Sequence, residues 1–392
     1  MAHPTPPLGD VPVDTFLARH WQRRPLLIRD AVPDIDGFVT MQTLRRLAAS
    51  DDVESRLVHG PAAGPARRGS KPASWRLAHG PFDRLPALSR PGWTLLVQGL
   101  DTHLDEARAL MDRFRFIPDA RLDDLMLSVA SDAGGVGPHV DAYDVFLLQV
   151  HGRREWRVGS PRGIRCDAGG NPTTVSGTPL RQIEHFDVES TWTLAPGDML
   201  YLPPGWAHDG IARGVCMTCS IGFRSPSRDE LLRAFHGWLS DRDRPDGVPS
   251  PRYRDRQREA SRHPARLPAD MAATLGGWLR SFRPAAADVE QFLGCWLTEP
   301  KPNVWFDADD RRQLDARAIR LDRRTRMLYR AGRVFINGEH VSPPAASRPT
   351  LVRLADRRML ATVDVGAAVS DPWLALTLGG WLKAGWIEHA GK

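Results

Sequence analysis

One stretch limits the architecture of this 392-residue chain more than any other. From Asp124 to about Arg224 the sequence breaks into short strand-like pieces: 125–130, 139–141, 145–150, 155–158, 191–194, 199–202 and 215–223. Turn signals rich in Gly and Pro separate them, among them 134–138, 196–198 and 203–205. Short strands punctuated in this way point to a barrel or a double-sheet jelly roll.

The flanks are helical. Residues 13–28 read as a short helix carrying Phe16, Leu17, His20 and Trp21, a break at Pro25, and the strand Leu26-Leu27-Ile28. A helix at 41–49, strands at 55–58 and 93–98, and a helix at 106–116 precede the barrel. Residues 59–74, rich in Gly, Pro, Ala and Arg, read as a loop insertion. After Arg224 the β character stops. Ser227-x-x-Glu230 is a capping box that opens a helix with Leu231, Leu232, Phe235 and Leu239. Residues 251–268 hold six Arg against one Asp and one Glu, with three Pro, and read as a solvated loop between helices. Helices follow at 269–280 and 287–297. Glu299-Pro300-Lys301-Pro302-Asn303 marks a boundary. Beyond it lie a strand pair, 327–330 and 333–336, the hairpin dipeptide Asn337-Gly338, and a helix at 373–383 with the stripe Leu374, Leu378, Trp381 and Leu382. The expected chain is mainly β with α. It has a jelly-roll or cupin module over 1–225, a helical region over 226–300, and a winged-helix-like domain over 301–392.

Charge and cysteine usage exclude little but help with class. The net charge of +6 over 392 residues is dilute, so an anionic partner is permitted rather than demanded. Four cysteines are too few for a secreted disulfide framework at this size, and a cytoplasmic location fits. Neither a signal peptide at 1–11 nor a run of 18 apolar residues is visible, so no membrane association is expected. Cys216-x-x-Cys219 lies in a strand, where this spacing turns the thiols to opposite faces, and no second pair completes a zinc site.

The chemistry begins at His139-Val140-Asp141, directly after a Gly-rich turn. Residues i and i+2 of a strand share a face, so an imidazole and a carboxylate can reach one metal. His208 follows a strand and a rigid Pro203-Pro204-Gly205 turn and supplies a third ligand. Two His and one carboxylate leave open positions on Fe(II), the facial triad of non-haem iron oxygenases; those positions take a 2-oxo acid and dioxygen. His185-Phe186-Asp187 repeats the pattern but lacks the preceding Gly-rich turn and the following basic strand. An oxygenase that uses 2-oxoglutarate needs a buried cation for the distal carboxylate. Arg154 shares a strand face with Trp156 and can point inward, while Arg153 and Arg157 alternate outward.

With those residues in view, the chain resembles the JmjC-type, cupin-like ribosomal oxygenases of bacteria. The likeness rests on Gly134 to Asp141, Tyr143-Asp144-Val145-Phe146, Gly152-Arg153-Arg154, Pro196-Gly197-Asp198, and Tyr201 to Gly205 before His208. It extends to Trp21–Ile28, Leu95–Gly99 and Ser220-x-Gly222-Phe223-Arg224. The resemblance implies an Fe(II)- and 2-oxoglutarate-dependent dioxygenase with a JmjC double-stranded β-helix, a helical dimerisation region and a C-terminal winged helix. It implies hydroxylation of the β-carbon (C3) of an arginine in a large-subunit ribosomal protein, by a homodimer that does not read DNA. Carried over, the metal ligands fall on His139, Asp141 and His208, and the 2-oxoglutarate ligand falls on Arg154. A guanidinium substrate should meet an acidic or aromatic pocket, for which Asp123 and Tyr143 are the expected residues. Three alternatives stand beside this reading. One is a metal-binding cupin without oxygenase activity, which has no need of Arg154. Another is a related oxygenase acting on histidine or RNA. The third is a nucleic-acid binder built on 301–330, where nine basic residues are interleaved with five acidic ones.

Overall fold

The computed structural model describes residues 4–60, 75–178, 180–242, 252–254, 268–281 and 284–390. Most of the Gly/Pro/Arg insertion and of the Arg-rich stretch 251–268 therefore lies outside the described residues. The chain forms two compact units, one of residues 1–225, 300–325 and 349–392, the other of residues 226–299 and 326–348.

The first unit is built on a ten-stranded sheet. Its strands are β1 (Leu26–Ile28), β2 (Ser55–His59), β3 (Arg76–His79), β4 (Trp93–Val97), β5 (Leu122–Ala130), β6 (His139–Val140), β7 (Val145–Gly159), β8 (Ser190–Leu194), β9 (Met199–Leu202) and β10 (Ala207–Phe223). The order is β1-β9-β7-β10-β5-β4-β2-β3, with β6 on β10 and β8 on β7, and the pairings are antiparallel. Helices α1 (Val13–Arg19), α2 (Met41–Ala48), α3 (Leu100–His103) and α4 (Asp105–Asp112) accompany it.

Alternation explains why the central strands are apolar almost throughout. Phe146, Leu148 and Val150 of β7 join the main core with Phe16, Phe114, Tyr201 and Phe223, whereas Val145 and Leu147 join a second cluster with Trp156, Leu200 and Leu202. Both faces are covered, so the few polar side chains there, such as Gln149 and Thr218, are buried with hydrogen-bond partners. Phe16 is fully buried and meets Tyr201 edge-on at 5.0 Å and Phe146 at 5.5 Å. Burying a side chain of that size contributes about 2–3 kcal/mol.

Three elements differ from the sequence reading. The pieces at 145–150 and 155–158 form one strand, because Gly152 adopts φ +62° and lets β7 bend without ending. A Cβ there would overlap the Val215 carbonyl oxygen of β10. The last strand starts at Ala207 rather than 215, so His208 lies in the sheet. The helix expected at 106–116 ends at Asp112, after which the N–H groups of Arg113, Phe114 and Arg115 donate three residues back and turn Phe114 into the core.

The first unit also holds an antiparallel trio, Ile319–Leu321 with Met359–Leu360 and Ile387–His389, and a helix Pro372–Lys383. That helix buries Leu374, Leu378, Trp381 and Leu382, the stripe read from sequence. In the second unit, helices α5 (Arg228–Arg242), α6 (Ala269–Ser281) and α7 (Ala286–Thr298) accompany the hairpin strands Met327–Arg330, Arg333–Ile336 and Glu339–Val341. Ser227 Oγ accepts the Glu230 N–H at 3.1 Å, as the capping box requires. Asn337 and Gly338 have φ of 47° and 89°, the double positive φ of a tight hairpin turn. No helix among the described residues is long and apolar enough to cross a membrane.

Candidate active site

A cavity of about 380 Å³ opens in the first unit, lined from β5, β6, β7, β10 and the loop that carries Gln182. His139, Asp141 and His208 meet on its wall, their ligand atoms all within 4.8 Å of one another. The sheet brings them together: β6 pairs with β10 so that His139 lies directly opposite His208. The two imidazoles are 4.2 Å apart between centroids, and His208 Nε2 lies 3.6 Å from Asp141 Oδ2.

Backbone carbonyls set the tautomers. His139 Nδ1 is 2.9 Å from the Gly137 oxygen, and His208 Nδ1 is 3.1 Å from the Trp206 oxygen. A carbonyl can only accept, so each Nδ1 carries the proton and each Nε2 keeps its lone pair for a metal. Burial, reinforced by the neighbouring His139, holds the His208 imidazole down at about 4, so it is neutral and ready to ligate at physiological pH. A neutral imidazole pair and one carboxylate on a single wall suit a divalent first-row metal with open positions. The decoy pair His185 and Asp187 is exposed, 3.3 Å apart, and gains no third ligand among the described residues.

Arg154 lies on the same wall. Opposite β10 it pairs with Ala212, and Trp156 with Gly210, while Val158 pairs with His208. Directly opposed residues share a face, so Arg154, Trp156 and His208 point to one side of the sheet. Arg154 is 4% exposed and stacks on Trp156 at 5.3 Å. Its Nη1 donates to Ser128 Oγ at 3.0 Å and Thr218 Oγ1 at 3.3 Å, and Thr218 donates in turn to Gln149 Oε1 at 2.9 Å. Its Nε is buried without a partner, and no carboxylate among the described residues pairs with it. Burial lowers its pKa, the mark of a cation held away from water. Such a group is built to receive an anion. Arg153 is exposed and Arg157 pairs with Glu155 at 3.1 Å, as alternation predicts.

The lining that β5 contributes near its start is acidic. A β-bulge lies where Ile221 pairs with Leu125 but Phe223 pairs with Leu122. The extra residue breaks the alternation of β5, so both Asp123 and Asp124 line the cavity. Asp123 is bound by Lys301 Nζ at 2.9 Å and by Arg224 Nε at 3.4 Å. Asp124, 5% exposed, accepts Gln98 Nε2 at 2.6 Å, and burial pushes its carboxyl pKa up. Tyr143 lines the same cavity and is 42% exposed. Its neighbour Asp144 is wholly buried and accepts Tyr201 O–H at 2.6 Å, Arg121 Nη2 at 3.0 Å and Gln22 Nε2 at 3.0 Å, which fixes the loop that carries Tyr143. Sequence reasoning missed Asp124, Gln98, Ser128 and Thr218. For Ser128 the alternation of β5 was a usable signal, since it marks the polar position two residues on from Met126.

Cys216 and Cys219 are buried and free, in separate apolar clusters, as opposite strand faces require.

Comparison with known proteins agrees with this geometry. A JmjC domain model matches residues 109–231, and a ROXA-like winged helix model matches residues 281–388. The chain is 30% identical to the ribosomal protein uL16 3-hydroxylase of Escherichia coli, over 95% of this chain and 96% of that one. It is 35% identical to a probable ribosomal oxygenase of Haemophilus influenzae over 56% of this chain and 51% of that one. Among solved structures it resembles the E. coli ribosomal oxygenase YcfD in complex with cobalt and 2-oxoglutarate. That likeness has a TM-score of 0.77 and 28% identity and covers 97% of this chain and 99% of that one.

Proposed function

The chain belongs to the JmjC ribosomal oxygenase family, and from that premise we propose that it is an Fe(II)- and 2-oxoglutarate-dependent hydroxylase of ribosomal protein uL16, acting on C3 of an arginine. The observation that carries the reading is Arg154: a buried guanidinium without a counter-anion among the described residues, on the wall that presents His139, Asp141 and His208.

His139, Asp141 and His208 would hold the iron, and Arg154 would hold the distal carboxylate of 2-oxoglutarate. Bound there, Fe(II) supplies the oxidising chemistry that puts one oxygen atom of dioxygen into a C–H bond while 2-oxoglutarate becomes succinate and carbon dioxide. The chain's own residues orient and exclude. Ser128 and Thr218 fix the Arg154 fork, Trp156 covers it, and the apolar side chains Val145 and Leu147 keep water from the wall between. Asp123, Asp124 and Tyr143 give the other end a negative, aromatic lining suited to a guanidinium. A cupin without oxygenase activity has no use for a buried unpaired Arg154, and a histidine substrate has less use for two carboxylates.

The wider reading follows the same line: a barrel module over 1–225, a helical region over 226–300 through which a homodimer forms, and a winged helix over 301–392 that does not read DNA. A ribosomal substrate supports a cytoplasmic location.

The test is mass spectrometry of a uL16 peptide incubated with Fe(II), 2-oxoglutarate and oxygen. One added oxygen should map to an arginine and vanish in His139→Ala and Asp141→Ala. Turnover in either variant removes the metal assignment.

A further inference from the structure

Lysine is scarce in this chain, four residues among 53 basic ones, yet one of the four reaches the acidic wall of the cavity. Lys301 Nζ lies 2.9 Å from Asp123 Oδ1 and 3.6 Å from Asp124 Oδ2. Asp123 and Asp124 line the cavity; Lys301 reaches them from the segment that begins at Pro300. Arg224 also lies beside Asp123, so among the described residues two cations pair with these two carboxylates.

We infer that Lys301 is an intramolecular competitor for the carboxylates that recognise the substrate cation, and that it sets the affinity for arginine. The inference rests on the reading of the acidic wall as the guanidinium site. Nearly every other cation of the chain is arginine, whose planar fork grips a carboxylate through two parallel bonds. An ammonium is a point charge and grips less specifically, so an incoming guanidinium can displace it. A lysine thus keeps the two carboxylates charge-balanced in the free enzyme and yields them to the substrate. An arginine at 301 would hold them against it. Lys301 is a specificity-determining neighbour rather than a catalytic residue, since its ion pairs are with Asp123 and Asp124 and not with the metal cluster or Arg154.

The two roles open to Lys301 predict opposite behaviour. A structural strut would be preserved by Lys301→Arg and damaged by Lys301→Met. A competitor reverses the order. The assay measures binding of paired uL16 peptides, one with arginine and one with citrulline at the modified position, to the full-length protein loaded with Mn(II) and 2-oxoglutarate. Binding is read by fluorescence anisotropy. Lys301→Met should tighten the arginine peptide about 2- to 5-fold, the range for releasing one partly exposed ion pair, and leave the citrulline peptide unchanged. Lys301→Arg should weaken the arginine peptide by a similar factor. Thermal unfolding of each variant, run beside the assay, checks that it is folded. If the folded Lys301→Met variant binds the arginine peptide no better than wild type, or Lys301→Arg binds it as wild type does, the competitor role is refuted. If wild type itself does not distinguish arginine from citrulline, the failure lies with the acidic wall as the cation site.

Discussion

Replacing Arg154 by Met separates function from stability in an unusual way. The side chains are of similar length, but the guanidinium is 4% exposed and, among the described residues, lacks an ion-pair partner and leaves its buried Nε unbonded. Removing a buried unpaired charge in favour of an apolar group of similar reach is neutral or stabilising by about 1–4 kcal/mol. Ser128 and Thr218 lose a donor, but Ser128 still donates to the Thr218 carbonyl and Thr218 to Gln149, so little is left orphaned. For a bound dicarboxylate the sign is opposite. Its distal carboxylate would be buried without a cation, a loss of about 3–5 kcal/mol. At 1.4 kcal/mol per tenfold, that is roughly two to three and a half decades of affinity. Calorimetric titration of 2-oxoglutarate into the Mn(II)-loaded protein, paired with denaturant unfolding of the metal-free protein, reads both quantities. The expected Arg154→Met protein is as stable as wild type and binds 2-oxoglutarate at least a hundredfold more weakly. A variant that binds within a few-fold of wild type, or one that unfolds far more easily, would show that Arg154 serves the fold and not the ligand.

Other consequences follow from single contacts. A Cβ on Gly210 would come within 2.6 Å of the Trp156 ring, so Gly210→Ala should push the indole off Arg154 at a cost of about 1–3 kcal/mol, and weaken 2-oxoglutarate binding while the circular dichroism spectrum is retained. His208 is held near 4 in the fold against an ordinary 6.5, so the unfolded chain takes up the proton first as pH falls. The metal-free protein should therefore lose up to about 3 kcal/mol between pH 6.5 and 4 from this group. His208→Asn should flatten that slope in denaturant titrations, and an unchanged slope would contradict the assignment. Cys166 is exposed, whereas Cys216, Cys219 and Cys295 are buried, which raises their pKa and keeps them protonated. A thiol reagent should add once to the native chain and four times after denaturation, counted by intact mass. His185→Ala should leave the bound metal per chain unchanged, since that pair has no third ligand among the described residues.

Much of the site was legible because a strand has only two faces. Period two alone put His139 with Asp141 and turned Arg154 inward with Trp156, and the sheet then set His208 opposite His139. The unread parts are those where the period breaks or where partners are distant. Gly152 looks like a turn but allows β7 to bend and continue. The bulge in β5 adds one residue, so Asp124 joins Asp123 on the cavity wall, a shift no alternation rule foresees. The strand β3 carries Arg and His on a largely exposed edge and gives no apolar signal. Lys301 meets Asp123 from beyond the whole 226–299 segment, a contact that only the folded chain defines.

Arginine hydroxylation of uL16 through this cavity is the activity proposed for the chain. Its most direct test compares the intact mass of uL16, followed by fragmentation, in cells with the gene, without it, and with Arg154→Met in its place. One added oxygen on a single arginine is expected with the intact gene and none in the other two. An oxygen that persists without the gene, or that is restored by the Arg154→Met protein at normal 2-oxoglutarate levels, would contradict it.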